Sequence, residues 1–488
     1  MSDLPSSGVA ATPPAPPTPP GGPLFSIYLS FIYALVILAL TVPGLLAAPS
    51  RSPIEFLRQP EDSLERLVTR QMELREAVRA APPWQRALTA LFASPDPGSE
   101  AADWFDEAAG AFGSPIAQLY REVLTREADR AARGDDPPAA PEAPADAEAE
   151  PLAGHMGEWL RAAYPPPGEA PLDVERAAAI LREIRELAPP GWLADTLVAR
   201  VAEGAGNAAA RAEAEGAIAA RGRVLLGRAM ALAASNVLFA LVGIALLVAS
   251  RGRLQAIGAA PIPPPWLVRD GLGLFVRGAA AYLILASLTG LFIPSDTLAE
   301  PFTAMAAGVP MLLLTQRCLA TYGISLPRAF GLRISPGRAG TLAATAIVLV
   351  ALSVAAAVLI ALGASALGVS SHWADGFPEE ILWAPPGVAA LHIADTVIWT
   401  PFIEELAFRG VLYGTLRRRL PVWPAALVSA GVFAAAHGYG VIGFASVLVS
   451  GLLWTLAYEG TRSLLPGIVA HGVNNLIVAA DMLALLRL

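Results

Sequence analysis

Lysine is absent from this chain of 488 residues, so all 34 basic side chains are arginine. That absence is read as the mark of a GC-rich genome and is given no functional meaning. There is one cysteine, Cys318, which excludes an intramolecular disulfide and a zinc site built on cysteines. Charge is scarce: 16% of residues are charged against 55% hydrophobic, and the mean hydropathy is +0.52. These values exclude an ordinary soluble protein and point to a polytopic membrane protein. The net charge of −8 gives no support for nucleic-acid binding.

Residues 1–23 are rich in Pro, Ser, Thr and Gly and are predicted to be a disordered tail. Residues 24–48 form a first apolar run. No arginine precedes it and it is long for a signal-peptide core, so an uncleaved transmembrane anchor is predicted. Residues 49–222 change character: Ala, Arg and Glu dominate, with amphipathic spacing such as Leu64, Leu67, Val68 and Met72. A soluble helical domain is predicted, with helices near 61–81, 84–93, 99–111, 114–132, 172–188 and 205–222, and a disordered linker at 134–151. No motif identifies its partner, and His155 reads as a surface residue.

Eight further apolar runs follow: 226–250, 271–293, 301–318, 339–368, 386–416, 422–437, 441–458 and 464–486. The expected fold is an all-α polytopic membrane helix bundle of about nine spans, judged on a span of about 20 residues, with an inserted soluble helical domain. The stretch 226–338 supplies additional transmembrane helices. Eleven arginines between Arg251 and Arg462 fall in one set of short loops, and only Arg487 in the opposite set. The first set is therefore expected in the cytoplasm, which places 49–222 on the extracytoplasmic side of a bacterial cell membrane. Arg51 and Arg58 argue the other way but are outweighed, because long domains cross largely regardless of charge.

The span 386–416 contains two adjacent glutamates, Glu404 and Glu405, and Arg409. A carboxylate at the bilayer centre costs roughly 2.5 kcal/mol or more, so each needs a partner. Glu405 precedes Arg409 by four residues, the favoured order for a helical ion pair. That pair reads either as a lock on helix packing or as support for a site. One arginine cannot neutralise two carboxylates, so Glu404 is left for other work. Thr396, Thr400 and Glu404 recur every four residues and form a polar stripe. Pro401 removes one backbone hydrogen bond and frees the carbonyl of Val397, kinking the helix before the glutamates. Downstream, His437 ends one run four residues after Phe433, and His471 and Asn475 share one face of the last.

The ordered set Glu404-Glu405-xxx-Arg409, Phe433-xxx-His437 and His471-xxx-Asn475 resembles the signature of the CAAX-protease and bacteriocin-processing family. That family includes the type II CAAX prenyl endopeptidases and bacterial Abi-type membrane proteins. The resemblance covers about residues 339–486 and implies an intramembrane endopeptidase acting on a membrane-associated protein or peptide. It further implies that Glu404 and His437 activate water, that His471 and Asn475 bind the oxyanion, and that Glu405 and Arg409 support them. Peptide hydrolysis needs a base, an acid for the leaving amine and donors for the oxyanion, and these residue types can supply all three. A zinc ion held by Glu404, His437 and His471 is the second option, although no HExxH core is present. A non-catalytic scaffold or a transporter retaining the polar cluster is the alternative from another class, since buried carboxylates also mark proton paths.

Overall fold

The computed structural model describes residues 24–47, 52–89, 97–133, 151–166, 168–169, 172–252, 254–294 and 297–488. The tail at 1–23 and the linker at 134–150 lie outside the described residues. Among those described, every regular element is helical. The chain divides into two units, Met1–Ser52 with Asn236–Ala480, and Pro53–Ser235 with Asp481–Leu488.

The first helix of the chain is α1, Ile27–Ala47; the second unit then contains α2 to α8. These are Pro60–Arg79, Pro83–Thr89, Pro97–Phe112, Pro115–Arg133, Pro151–Ala163, Val174–Leu187 and Trp192–Gly204. The helices α2 to α6 each open on a proline. At a first helical position the missing N–H is not needed and the fixed φ suits the helix. The same rule explains α6, which the sequence pattern had assigned to no helix. Leu64, Val68 and Met72 of α2 are buried, and the stacked rings of Phe105 and Tyr120 have centroids 4.5 Å apart. Buried charges here are paired. Glu127 accepts two hydrogen bonds from Arg200, at 2.7 and 2.6 Å, and one from the Tyr164 hydroxyl at 2.8 Å. Fully buried Glu73 faces Arg221, which also reaches Asp195 at 2.5 Å.

Glu65 of α2 is half-buried. Burial, reinforced by Asp62, pushes its carboxyl up to about 7, against the opposing effects of Arg66 and a hydrogen bond with Tyr120. A raised carboxyl pKa means that the folded state holds the proton more tightly than the unfolded state. Its stabilising contribution is complete below the ordinary carboxylate pKa and is lost as pH rises through about 7. The thermal midpoint of this unit should therefore fall between pH 5 and pH 8. Glu65→Gln should flatten that slope, as followed by circular dichroism.

Two helices were expected at 205–222 and 226–250, but α9 is one helix, Ala208–Ala249. Only Gly222 and Gly227 interrupt the helix formers there, and a helical glycine costs only about 1 kcal/mol relative to alanine. Gly222 has a packing reason, because a Cβ there would lie 2.2 Å from the Glu73 carbonyl oxygen.

The first unit contains α1, the end of α9, and α10 to α18. The latter are Val268–Phe292, Ala299–Thr321, Leu326–Ala329, Ala339–Ala366, Glu379–Trp383, 386–416, Val422–Ala436, Val441–Thr461 and Leu465–Arg487, the last crossing into the second unit after Ala480. Among the described residues, six helices are long and apolar enough to cross a membrane: α9, α10, α11, α13, α17 and α18. The apolar stretches Ile27–Thr41 and Val422–Ala436 are shorter, and α15 carries the charged motif. The protein is thus a polytopic helical membrane protein. Fully buried Asp270 of α10 anchors the start of α1, accepting the backbone N–H of Leu24 at 3.0 Å and the Tyr322 hydroxyl at 2.9 Å.

Candidate active site

The site is built on α15, which is not a regular α-helix. It widens into π-helical turns at Asp395–Trp399 and Glu405–Tyr413. The first precedes Pro401, where the backbone lacks a donor. Neighbouring groups use what this irregularity exposes. The Asn475 side-chain amide donates to the Thr396 carbonyl at 2.8 Å. The indole N–H of Trp399 donates to the Met305 carbonyl at 2.8 Å. Gly472 of α18 packs on the carbonyl of Val397, the group that Pro401 frees, and a Cβ at Gly472 would lie 2.4 Å from that oxygen. The expected stripe of Thr396, Thr400 and Glu404 is broken by the same turn, and the Thr400 hydroxyl donates instead to Asp395 at 3.2 Å.

Because no side chain fits between α18 and Val397, Gly472→Ala should force the two helices apart. Overpacking of this kind costs about 1–3 kcal/mol, so a lower thermal midpoint in detergent is expected. An unchanged midpoint would mean that the close approach is not needed.

The second π turn presents Glu405 and Arg409 inward. Both are fully buried, and Arg409 Nη1 lies 2.9 Å from Glu405 Oε1, as their spacing predicts. The guanidinium also faces the rings of Phe433, 4.1 Å away, and Trp454, 5.2 Å away. One carboxylate and two π faces thus meet the cation where water does not. Glycines make room: a Cβ at Gly467 would lie 2.8 Å from Glu405 Oε2, and one at Gly451 2.9 Å from Arg409 Nη2.

His471 of α18 stacks on Trp454, with centroids 4.3 Å apart and planes inclined by 21°. Its Nδ1 lies 3.4 Å from Glu405 Oε1 and its Nε2 3.6 Å from Glu404 Oε2. One buried imidazole therefore joins both glutamates, whereas the sequence suggested separate environments for them. The Glu405 side chain is 1% exposed and that of Glu404 26%, so Glu404 is where this cluster opens. His437 follows α16. Its Nδ1 lies 2.8 Å from the Phe433 carbonyl, which can only accept, so Nδ1 carries the proton and in the neutral ring Nε2 is the free base. The His437 ring meets Phe433 edge-on at 4.7 Å, and Phe433 meets His471 at 5.9 Å.

Glu404, Glu405, Arg409 and His471 thus form one continuous cluster. His437 joins it through Phe433 and makes no ion pair with Glu404. Asn475 lies one turn beyond His471 with one amide N–H already committed. Among the described residues, no three His, Cys, Asp or Glu side chains are gathered as a metal ion would require. Of the residues considered from sequence as a zinc set, His471 Nε2 lies 3.6 Å from Glu404 Oε2, while His437 bonds the Phe433 carbonyl through Nδ1. The sequence reading passed over a second polar group on α15. His392 Nε2 lies 2.8 Å from Glu300 Oε2, both buried, and Asp395 follows three residues later. Both α15 residues lie in the apolar run that holds the glutamates, which was signal enough to single them out.

This stretch coincides with a match to a known family: residues 386–477 fit the model described as type II CAAX prenyl endopeptidase Rce1-like. The match supports a CAAX-type intramembrane protease family for this segment, and it contains every residue of the cluster from Glu404 to Asn475. The match is shorter than the resemblance expected over 339–486, leaves out α13, and does not reach the second unit. No curated protein and no solved structure matches the chain.

Proposed function

We propose that the Rce1-like domain is an intramembrane endopeptidase that hydrolyses a peptide bond of a membrane-associated protein or peptide. The observation that supports this best is the His471 imidazole set between a sealed carboxylate, Glu405, and a partly exposed one, Glu404. Glu404, assisted by His437, removes a proton from water as the water oxygen bonds to the scissile carbonyl carbon. The carbonyl π pair moves onto oxygen, and the oxyanion is met by His471 and the second N–H of Asn475. The C–N bond then breaks and the proton taken from water passes to the leaving nitrogen, giving an acid and an amine. Glu405 and Arg409 hold the His471 ring in place.

Purified protein in liposomes should cut internally quenched peptides that carry a lipid or apolar anchor, and should leave the same peptides intact when they lack it. Failure to cut any anchored peptide across a broad sequence library would favour the scaffold reading.

The arginine asymmetry supports an extracytoplasmic position for 49–222. In a cysteine-free background, a cysteine at Val174, which is 73% exposed, should react with impermeant maleimide on intact cells. One at exposed Arg333 should react only after lysis. The opposite labelling would place the helical unit in the cytoplasm.

A further inference from the structure

Both groups assigned to the oxyanion are engaged in this structure. The two His471 nitrogens face Glu404 and Glu405, and the Asn475 amide holds the Thr396 carbonyl. A third donor, uncommitted and placed beside His437, would complete the site. We propose that the Tyr439 hydroxyl is that donor, a further catalytic residue that hydrogen-bonds the oxyanion of the tetrahedral intermediate. This inference rests on the endopeptidase reading above.

The local sequence His437-Gly438-Tyr439-Gly440 sets its position. Gly438 adopts φ +68°, a left-handed conformation that glycine takes freely, and it turns the chain back immediately after His437. The Tyr439 ring therefore lies against the His437 ring, with centroids 5.3 Å apart. Two more glycines shape its cradle. A Cβ at Gly376, itself at φ +71°, would lie 2.9 Å from Tyr439 Cε1, and one at Gly443 would lie 2.7 Å from Tyr439 Cβ. Among the described residues nothing shares a hydrogen bond with its hydroxyl, and the residue is 37% exposed. The phenol thus stands beside His437, and among the described residues its O–H is uncommitted.

In the reaction written above, no bond to Tyr439 forms or breaks. Its O–H bonds the carbonyl oxygen more strongly as negative charge gathers there, and releases it when the C–N bond breaks. Tyr282 of α10 is a second exposed tyrosine, and among the described residues it makes no ring contact with either site histidine. It is the natural control.

The test compares wild type, Tyr439→Phe and Tyr282→Phe in the liposome assay. Tyr439→Phe should lower kcat by about 10²–10³-fold, the loss seen when one oxyanion donor is removed, with little change in KM. Its thermal midpoint should match wild type, since the ring and its cradle remain. Tyr282→Phe should retain kcat. Replacing Tyr439 by 3-fluorotyrosine keeps the packing and makes the phenol more acidic, so kcat should change with the acidity of the donor. Wild-type kcat in folded Tyr439→Phe, or a kcat insensitive to fluorination, would overturn the proposal even though the wild-type enzyme cuts. If the wild type cuts nothing, it is the endopeptidase reading that fails.

Discussion

Glu404→Gln is expected to abolish cleavage, lowering kcat by about 10³-fold or more while the protein stays folded and inserted. A positioned general base contributes roughly 10²–10⁴-fold, and Glu404 also returns the proton to the leaving amine, so one substitution removes both steps. Folding should survive because Glu404 is partly exposed and the His471 imidazole is 3.6 Å away, beyond hydrogen-bond distance. The amide is nearly isosteric with the carboxylate and cannot take a proton from water. Single-turnover cleavage and the thermal midpoint, measured on the same preparation, check both halves. Wild-type activity in the folded variant would remove Glu404 from the catalytic assignment.

For Glu405→Gln the balance should reverse, with the larger effect on stability. Glu405 and Arg409 are both fully buried, 2.9 Å apart, and removing one partner strands the other charge. Breaking such a pair costs roughly 3–5 kcal/mol. Phe433 and Trp454 would still face the guanidinium, but their attraction is worth only about 2 kcal/mol when desolvated and cannot replace the carboxylate. The double variant Glu405→Met/Arg409→Met should regain much of the stability, because replacing a whole buried pair by apolar groups is often neutral. It should not regain full activity, since the Glu405 carboxylate also faces His471 Nδ1, 3.4 Å away. Reversible denaturation in mixed micelles separates the three variants. Equal midpoints for Glu405→Gln and wild type would show that the pair does not stabilise the bundle.

The membrane-protein class, the apolar runs and the Glu405–Arg409 pair were legible in the sequence. Each depends on local rules: mean hydropathy, run length, and the four-residue spacing that puts two side chains on one helical face. The ordered motifs also pointed to the family, which the Rce1-like match over 386–477 supports. The continuity of α9 and the presence of α6 were locally encoded too, by the lack of a strong helix breaker and by a proline at a helix start, but they were not read. Other features lay beyond any local rule. The sequence could place Glu404 and Glu405 about 100° apart on one helix. Only the packing of α18 against α15 decides that a single imidazole reaches both. Pro401 foretold a free carbonyl at Val397, yet its being met by Gly472, a residue without a side chain, depends on how closely two helices approach. The resemblance implied that Asn475 binds the oxyanion; in the fold its amide reaches the Thr396 carbonyl on another helix. Spacing along one helix follows from backbone geometry, whereas contacts between helices depend on packing that arises only when the whole bundle is assembled.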